Sequence, residues 1–255
     1  MPIEVVTIPC RSDNYAYVVR DEGSGKTALI DAPSVDPIFD ALEERGWGLD
    51  QIWITHHHGD HTEGVDDLKA KYGSTVVGHA KDRARLPDLD IEVSEGETVT
   101  LGESTASVID VSGHTIGHIA FVMEDDRAAF TADSLMALGC GRVFEGTHAM
   151  MWESLSKFLT LPDDVQIYSG HNYGAANGRF ALSIEPDNAE LLARIDRIKD
   201  ADAAGTPIVP VTMAEEKATN PFLRAVVPSV KTAVGLPDGD DALVFGEIRR
   251  RKDGF

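Results

Sequence analysis

Long apolar runs are missing from this 255-residue sequence, and nothing in it reaches the about 18 consecutive apolar residues that a membrane-spanning helix requires. The opening segment MPIEVVTIPCRSDNYAYVV has no basic flank ahead of an apolar stretch, so it reads as a first strand and not as a signal peptide. Cysteine is scarce: Cys10 and Cys140 alone cannot make a disulfide framework, which favours a reducing, cytoplasmic setting. Basic residues are few as well. Against 43 Asp and Glu there are 23 Lys and Arg, for a net charge of -20. Such a surface repels nucleic acid and anionic lipid, so neither a nucleic-acid partner nor a membrane is expected. Internal repeats and low-complexity segments are also lacking. What remains, 42% hydrophobic and 26% charged residues, suits a soluble globular chain.

The first two-thirds alternates short β-like runs with tight turns and a few helices. Strands are predicted at Ile3–Ile8, Tyr15–Arg20, Thr27–Asp31, Ile52–Thr55, Ser74–Val77, Thr98–Leu101, Ala106–Val111, Ile119–Met123, Ala128–Thr131 and Gln166–Ser169. Helices are predicted near Val35–Arg45, Val65–Tyr72 and Met150–Leu159; in the second, Val65, Leu68 and Tyr72 share a face and Gly73 is a stop. After about Tyr173 the texture becomes helical, with no convincing strand. Asp187-Asn188-Ala189-Glu190 resembles a helix start, placing Leu191, Leu192, Ile195 and Ile198 on one face before Gly205. Thr212-Met213-Ala214-Glu215 is a second capping pattern, and Asp240 to Lys252 forms a last helix. The simplest division is a strand-rich domain over 1–173 and a small helical one over 174–255.

Chemistry concentrates in Thr55-His56-His57-His58-Gly59-Asp60-His61, which follows an apolar strand and holds four histidines and an aspartate within six positions. Imidazole and carboxylate both suit a borderline metal. Residues at i and i+2 of an extended segment project to one side, so His56 and His58 can grip one ion together. Asp60 and His61, where the chain turns into a helix, can reach a second ion. His57 points away and is assigned to packing or to a supporting contact. His114, Asp133 and His171 each follow a predicted strand. Each alone is a weak signal, since a lone His or Asp after a strand is more often a turn, cap or surface residue. Their shared placement at strand ends strengthens them, and seven ligands would leave three per ion, one bridging carboxylate and room for a water. His118 and His148 read as structural or supporting, and His79 has no evident role.

With these residues in view, the chain resembles the metallo-β-lactamase superfamily, whose mark is H-x-H-x-D-H followed by more distant His, Asp and His. Within it, the resemblance is to the glyoxalase II, or hydroxyacylglutathione hydrolase, family. It covers nearly the whole chain, through residues 55–61 (THHHGDH), 113–118 (GHTIGH), 139–147 (GCGRVFEGT), 170–173 (GHNY), 212–224 (TMAEEKATNPFLR) and the ending IRRRKDGF. The resemblance implies an α/β (α+β) fold, an αββα sandwich followed by a small helical C-terminal domain. It implies two divalent ions, zinc first with iron or manganese as options: His56, His58 and His114 on one, Asp60, His61 and His171 on the other, with Asp133 bridging. Asp60 and Asp133 are then catalytic, acting with a metal-bridging hydroxide. Glutathione contacts are implied for Arg142, Phe144 and Tyr173 around the active site, and for Arg249 and Lys252 at the glycine carboxylate, while Arg250 and Arg251 face solvent. Arg142 and Phe144 stand where some relatives have Lys and Tyr, Ala132 and Ser134 where Gly and Thr are usual, and Asn172 and Gly174 where Glu and Thr are more familiar.

The activity implied is hydrolysis of S-D-lactoylglutathione to glutathione and D-lactate by a monomer whose partner is a small-molecule thioester. A rival in the same superfamily, a mononuclear-iron glutathione persulfide dioxygenase, would use fewer ligands and lack the segment 174–255. A metal-binding protein without turnover is the other alternative, and a complete ligand set argues against it.

Overall fold

The structure is a computed structural model that describes residues 3–255. β1 (Ile3–Cys10) and β2 (Asn14–Asp21) pair antiparallel, with Cys10 opposite Asn14. Tyr15 through Val19 of β2 are all buried, so this sheet is covered on both faces. β3 (Thr27–Ile30) continues the antiparallel order. Helix α1 (Asp36–Arg45) then leads to β4 (Gln51–Trp53), parallel to β3. The short α2 (Gly59–Thr62) and α3 (Val65–Tyr72) lead to β5 (Thr75–His79), and β6 (Ile91–Val93) closes a six-stranded sheet in the order β1 to β6.

Period-two alternation sorts the strand residues between two layers. Ala16, Val18, Leu29, Ile52, Ile54 and Val76 pack with Ile38 and Leu42 of α1 and with Val65 and Leu68 of α3. Tyr17 and Trp53, at the alternate positions, meet Phe130 and Phe121 at ring-centroid distances of 5.7 and 5.1 Å. Those partners lie on an antiparallel run of strands, β7 (Thr98–Leu101), β8 (Ser104–Asp110), β9 (Ile119–Met123) and β10 (Ala128–Ala132). Helix, sheet and sheet stack in that order, as the αββα resemblance implies.

The chain divides into two compact units: the first runs to Asp110 and resumes over Thr115–Thr131, and the second takes Val111–His114 and Ala132–Phe255. The second contains the hairpin of β11 (Leu135–Met136) and β12 (Gly139–Cys140), then α4 (His148–Phe158), β13 (Gln166–Ser169), α5 (Gly174–Ile184) and α6 (Ala189–Ala204). β14 (Val211–Thr212), α7 (Met213–Thr219), α8 (Pro228–Ala233) and α9 (Asp241–Asp253) complete it. The expected helix starts are real: Asn188, Thr212 and Asp240 accept from the backbone N–H three residues on. No helix among the described residues is long and apolar enough to cross a membrane.

Three sequence expectations need correction. A strand does occur after Tyr173, because β14 pairs antiparallel with β13. The helix expected from Met150 begins two residues earlier, where Thr147 accepts from Met150 N. On α6, Leu192 is 44% exposed while Arg194 is buried. Arg194 bonds Thr219 Oγ1 at 2.7 Å and pairs with the buried Glu216 carboxylate. Glu216 Oε2 in turn accepts from Asn220 Nδ2 at 2.9 Å and Leu138 N at 3.3 Å. A buried charge held in an ion pair is tolerated, whereas removing one partner strands the other. Glu216→Ala is therefore expected to destabilise the fold by about 3–5 kcal/mol, measured by chemical denaturation, while Arg250→Ala on the surface changes nothing measurable.

Candidate metal centre

In the first unit the histidine loop is fixed from β3. Asp31, directly after that strand, has φ +57 and accepts three bonds: from Thr55 N at 2.8 Å, Thr55 Oγ1 at 2.8 Å and His61 Nδ1 at 2.8 Å. With Nδ1 donating to a carboxylate, His61 keeps the Nε2 lone pair for a metal. His61 Nε2 lies 3.8 Å from Asp60 Oδ2, and Asn14 Nδ2 donates to Asp60 Oδ2 at 3.1 Å and to its carbonyl at 3.0 Å. His56 Nε2 and His58 Nδ1 are 3.2 Å apart. Donor atoms of Asp31, His56 and His61 all lie within 4.8 Å of one another. Imidazole nitrogens and carboxylate oxygens gathered this closely fit the donor chemistry of a divalent cation.

The remaining histidines of this unit have supporting places. His57 turns away to Asp82 Oδ2, 3.0 Å from its Nδ1, as the alternation requires. His118 stacks on His56 with 4.6 Å between centroids and 11° between planes. Buried His79 bonds Gly117 O through Nδ1 at 2.9 Å.

The second unit holds the other candidates. His114 Nδ1 contacts Arg142 O at 2.8 Å, which again leaves Nε2 as the lone-pair nitrogen. His114 Nε2 and His171 Nε2 lie 3.4 and 3.3 Å from Asp133 Oδ2, so one carboxylate oxygen stands between two imidazoles. Two glycines are required by close approach. A Cβ at Gly113 (φ +152) would sit 2.8 Å from Met151 Cα, and one at Gly141 would sit 2.0 Å from Asp133 O. Ala132, where glycine is usual in the family it resembles, carries φ +42, a left-handed conformation costing about 1–2 kcal/mol in a residue with a Cβ.

The candidate substrate contacts lie in this unit too. Tyr173 stacks on His171 at 4.8 Å and 6°, and Phe144 meets the His114 ring edge-on at 5.3 Å; both aromatics are exposed. Lys252 Nζ donates to Ala176 O at 3.1 Å and lies 5.2 Å from the Phe180 centroid. Burial, with Arg249 and Arg179 nearby, pushes its pKa down to about 8. Arg249 is 4% exposed and donates to Asp253 Oδ1 and to Cys140 O. Arg250 faces solvent beside Glu247, as expected, but Arg251 reaches Val234 O at 2.7 Å. His148 packs edge-on against Phe245.

Comparison with known proteins places the chain in a family. A family model described as the metallo-beta-lactamase superfamily matches residues 11–171, and one described as the hydroxyacylglutathione hydrolase C-terminus matches residues 172–255. The chain belongs to the hydroxyacylglutathione hydrolase family of the metallo-β-lactamase superfamily. A hydroxyacylglutathione hydrolase from Ruegeria pomeroyi is 55% identical over 255 residues, covering 100% of both chains. One from Rhodopseudomonas palustris is 52% identical over 253 residues, covering 99% of each. Among solved structures, ETHE1 from Myxococcus xanthus superposes with a TM-score of 0.66 at 23% identity, over 99% of this chain and 98% of that one. The B3 metallo-β-lactamase BLEG-1 gives 0.67 at 20% identity, over 86% and 99%. At those identities the likeness is one of fold.

Sequence reasoning about this hydroxyacylglutathione hydrolase family member missed Asp31, Asn14 and Asp82. An Asp after a strand reads as a cap, and only the parallel pairing of β3 with β4 brings Asp31 to Thr55. Asp31→Ala is expected to lower metal affinity by about 10- to 100-fold, the range for a lost outer partner of a histidine ligand. Equilibrium dialysis against a competing chelator measures it.

Proposed function

We propose that the chain hydrolyses S-D-lactoylglutathione to glutathione and D-lactate. The observation that carries this reading is Asp133 Oδ2 between the Nε2 atoms of His114 and His171, in a chain of the hydroxyacylglutathione hydrolase family. We assign His56, His58 and His114 to one divalent ion, Asp60, His61 and His171 to a second, and Asp133 to both. Zinc is preferred over iron or manganese, since imidazole and carboxylate donors suit it well. When bound, such ions make hydroxide available near neutral pH and stabilise negative charge on a carbonyl oxygen.

The chain's own residues supply orientation. Asp31 and the Arg142 carbonyl hold His61 and His114 in the tautomer that carries its lone pair on Nε2. Asn14 fixes the Asp60 carboxylate. In the overall reaction a water oxygen bonds the thioester carbon as the C–S bond breaks, and the electron pair leaves on sulfur. A thiolate is a good leaving group, so no dedicated general acid is needed. Lys252, with Arg249 nearby, attracts the glycine carboxylate of the glutathione moiety, Arg142 attracts a carboxylate of it at the active site, and Phe144 and Tyr173 present aromatic faces beside His114 and His171. We place this reaction in the cytoplasm, in keeping with the scarce cysteine, and assign it to a monomer.

Purified, metal-replete protein given S-D-lactoylglutathione should release free thiol, and no release above background would sink the reading. His56→Ala and Asp133→Ala should each lower bound metal and lower the rate by more than about a hundredfold, beyond what an outer partner supplies. Lys252 adds a pH signature. Its ammonium is present below about 8 and lost above it, so KM should climb as pH rises through that value, with kcat changing less. Lys252→Ala should raise KM at neutral pH and flatten the climb; an unchanged profile would remove Lys252 from binding.

A further inference from the structure

Three ionic groups meet at the end of α9. Asp253 Oδ1 accepts from Arg249 Nε at 3.1 Å and Arg249 Nη2 at 2.9 Å, and it lies 3.5 Å from Arg142 Nε. The contacts are unequal. Those to Arg249 are of ordinary hydrogen-bond length, and that guanidinium is buried, stacked over Phe222 at 5.1 Å and bonded to Cys140 O at 3.1 Å. The contact to Arg142 is longer than a good hydrogen bond, and the Arg142 side chain is 57% exposed. The Arg142 backbone is nonetheless fixed, since its carbonyl bonds His114 Nδ1 at 2.8 Å and its neighbour Gly141 has no space for a Cβ. Only its side chain is free to exchange partners.

We propose that Asp253 is an internal carboxylate that occupies Arg142 in the empty site and yields it to a carboxylate of the incoming glutathione moiety, thereby limiting how tightly substrate and product are held. The inference rests on the reading of Arg142 as a substrate contact. Arg249 stays neutralised by Asp253 throughout, so the exchange exposes no buried charge. Loosening the hold on both substrate and product raises KM, and it also lets glutathione depart after the C–S bond has broken.

Calorimetric titration of the metal-replete protein with glutathione tests this without turnover. Asp253→Asn should bind glutathione about two- to fivefold more tightly, the scale of a partly exposed ion pair. In an Arg142→Gln background the same change should leave affinity unaltered, because the competitor then has nothing to occupy. Asp253→Glu should restore the original affinity. Equal or weaker binding by Asp253→Asn, or an equal gain in the Arg142→Gln background, would overturn the proposal. Should Asp253→Asn fold poorly, the unmutated protein still decides: the Arg142 Nε–H resonance should shift as glutathione saturates the site, and a resonance that stays put overturns the exchange. Thioester hydrolysis with an unmoved resonance overturns this inference alone, whereas no glutathione binding at all overturns the functional reading with it.

Discussion

A single buried carboxylate organises the histidine loop of the first unit. Asp31 lies at a strand end, where backbone and side-chain donors would otherwise be stranded in an apolar layer, and each unpaired buried donor there costs about 1–3 kcal/mol. It answers three of them at once, two from Thr55 and one from His61. The two ends of the histidine loop are thus fastened to the same oxygen pair. Backbone bonds reinforce the position: Asp31 N donates to Trp53 O at 3.0 Å, and Ala32 N donates to His61 O at 2.8 Å. With its ends set by β3 and β4, the loop can present several candidate ligands at a reduced ordering cost.

The second unit solves the same problem with a carbonyl in place of a carboxylate. Arg142 O receives His114 Nδ1, and the chain reaches that position only because Gly141 crowds against Asp133 O and Gly113 against Met151. Both arrangements fix a tautomer, so both direct Nε2 outward, and tautomer control is what turns a histidine from a polar side chain into a dependable ligand. Ala132 shows the cost of this geometry. The left-handed turn that presents Asp133 is kept even where the residue is not glycine, so local strain is accepted to hold the carboxylate between two imidazoles.

Much of this was legible in the sequence, for identifiable reasons. The loop His56–His61 concentrates its donors in six positions after an apolar strand, and simple alternation separated His57 from the candidate ligands; the structure turns it to Asp82. Helix caps at Asn188, Thr212 and Asp240 were legible because the cap and its partner N–H are three residues apart. β6, β11, β12 and β14 were not, being only two or three residues long, too short for any period to register. Arg194 escaped because periodicity counts apolar residues, and a buried cation is legible only once its partner Glu216, 22 positions away, is known. Asp31 escaped for the same reason, with its partners 24 and 30 positions away, after β4 and in α2.

The cationic run at the end of α9 divides along the same lines. Read as sequence, Arg249, Arg250, Arg251 and Lys252 are four equal charges on a protein of net charge -20. In the fold, Glu247 takes Arg250 and Arg251 together, and those two hydrogen-bonded cations hold its pKa down to about 2. Arg249 is taken by Asp253. Among the described residues, no carboxylate is paired with Lys252; its ammonium bonds only the carbonyl of Ala176 and lies near Phe180 and Phe255. A half-buried ammonium without a counter-ion is unfavourable, which is why its pKa falls, and it regains stability only when an anion arrives. The global charge repels anions, but beyond about 10 Å that field is screened, so a local charge left unmatched governs the last step of approach. The unmatched charge of the run is therefore one lysine, held between aromatic rings one turn from an arginine that the fold has already neutralised.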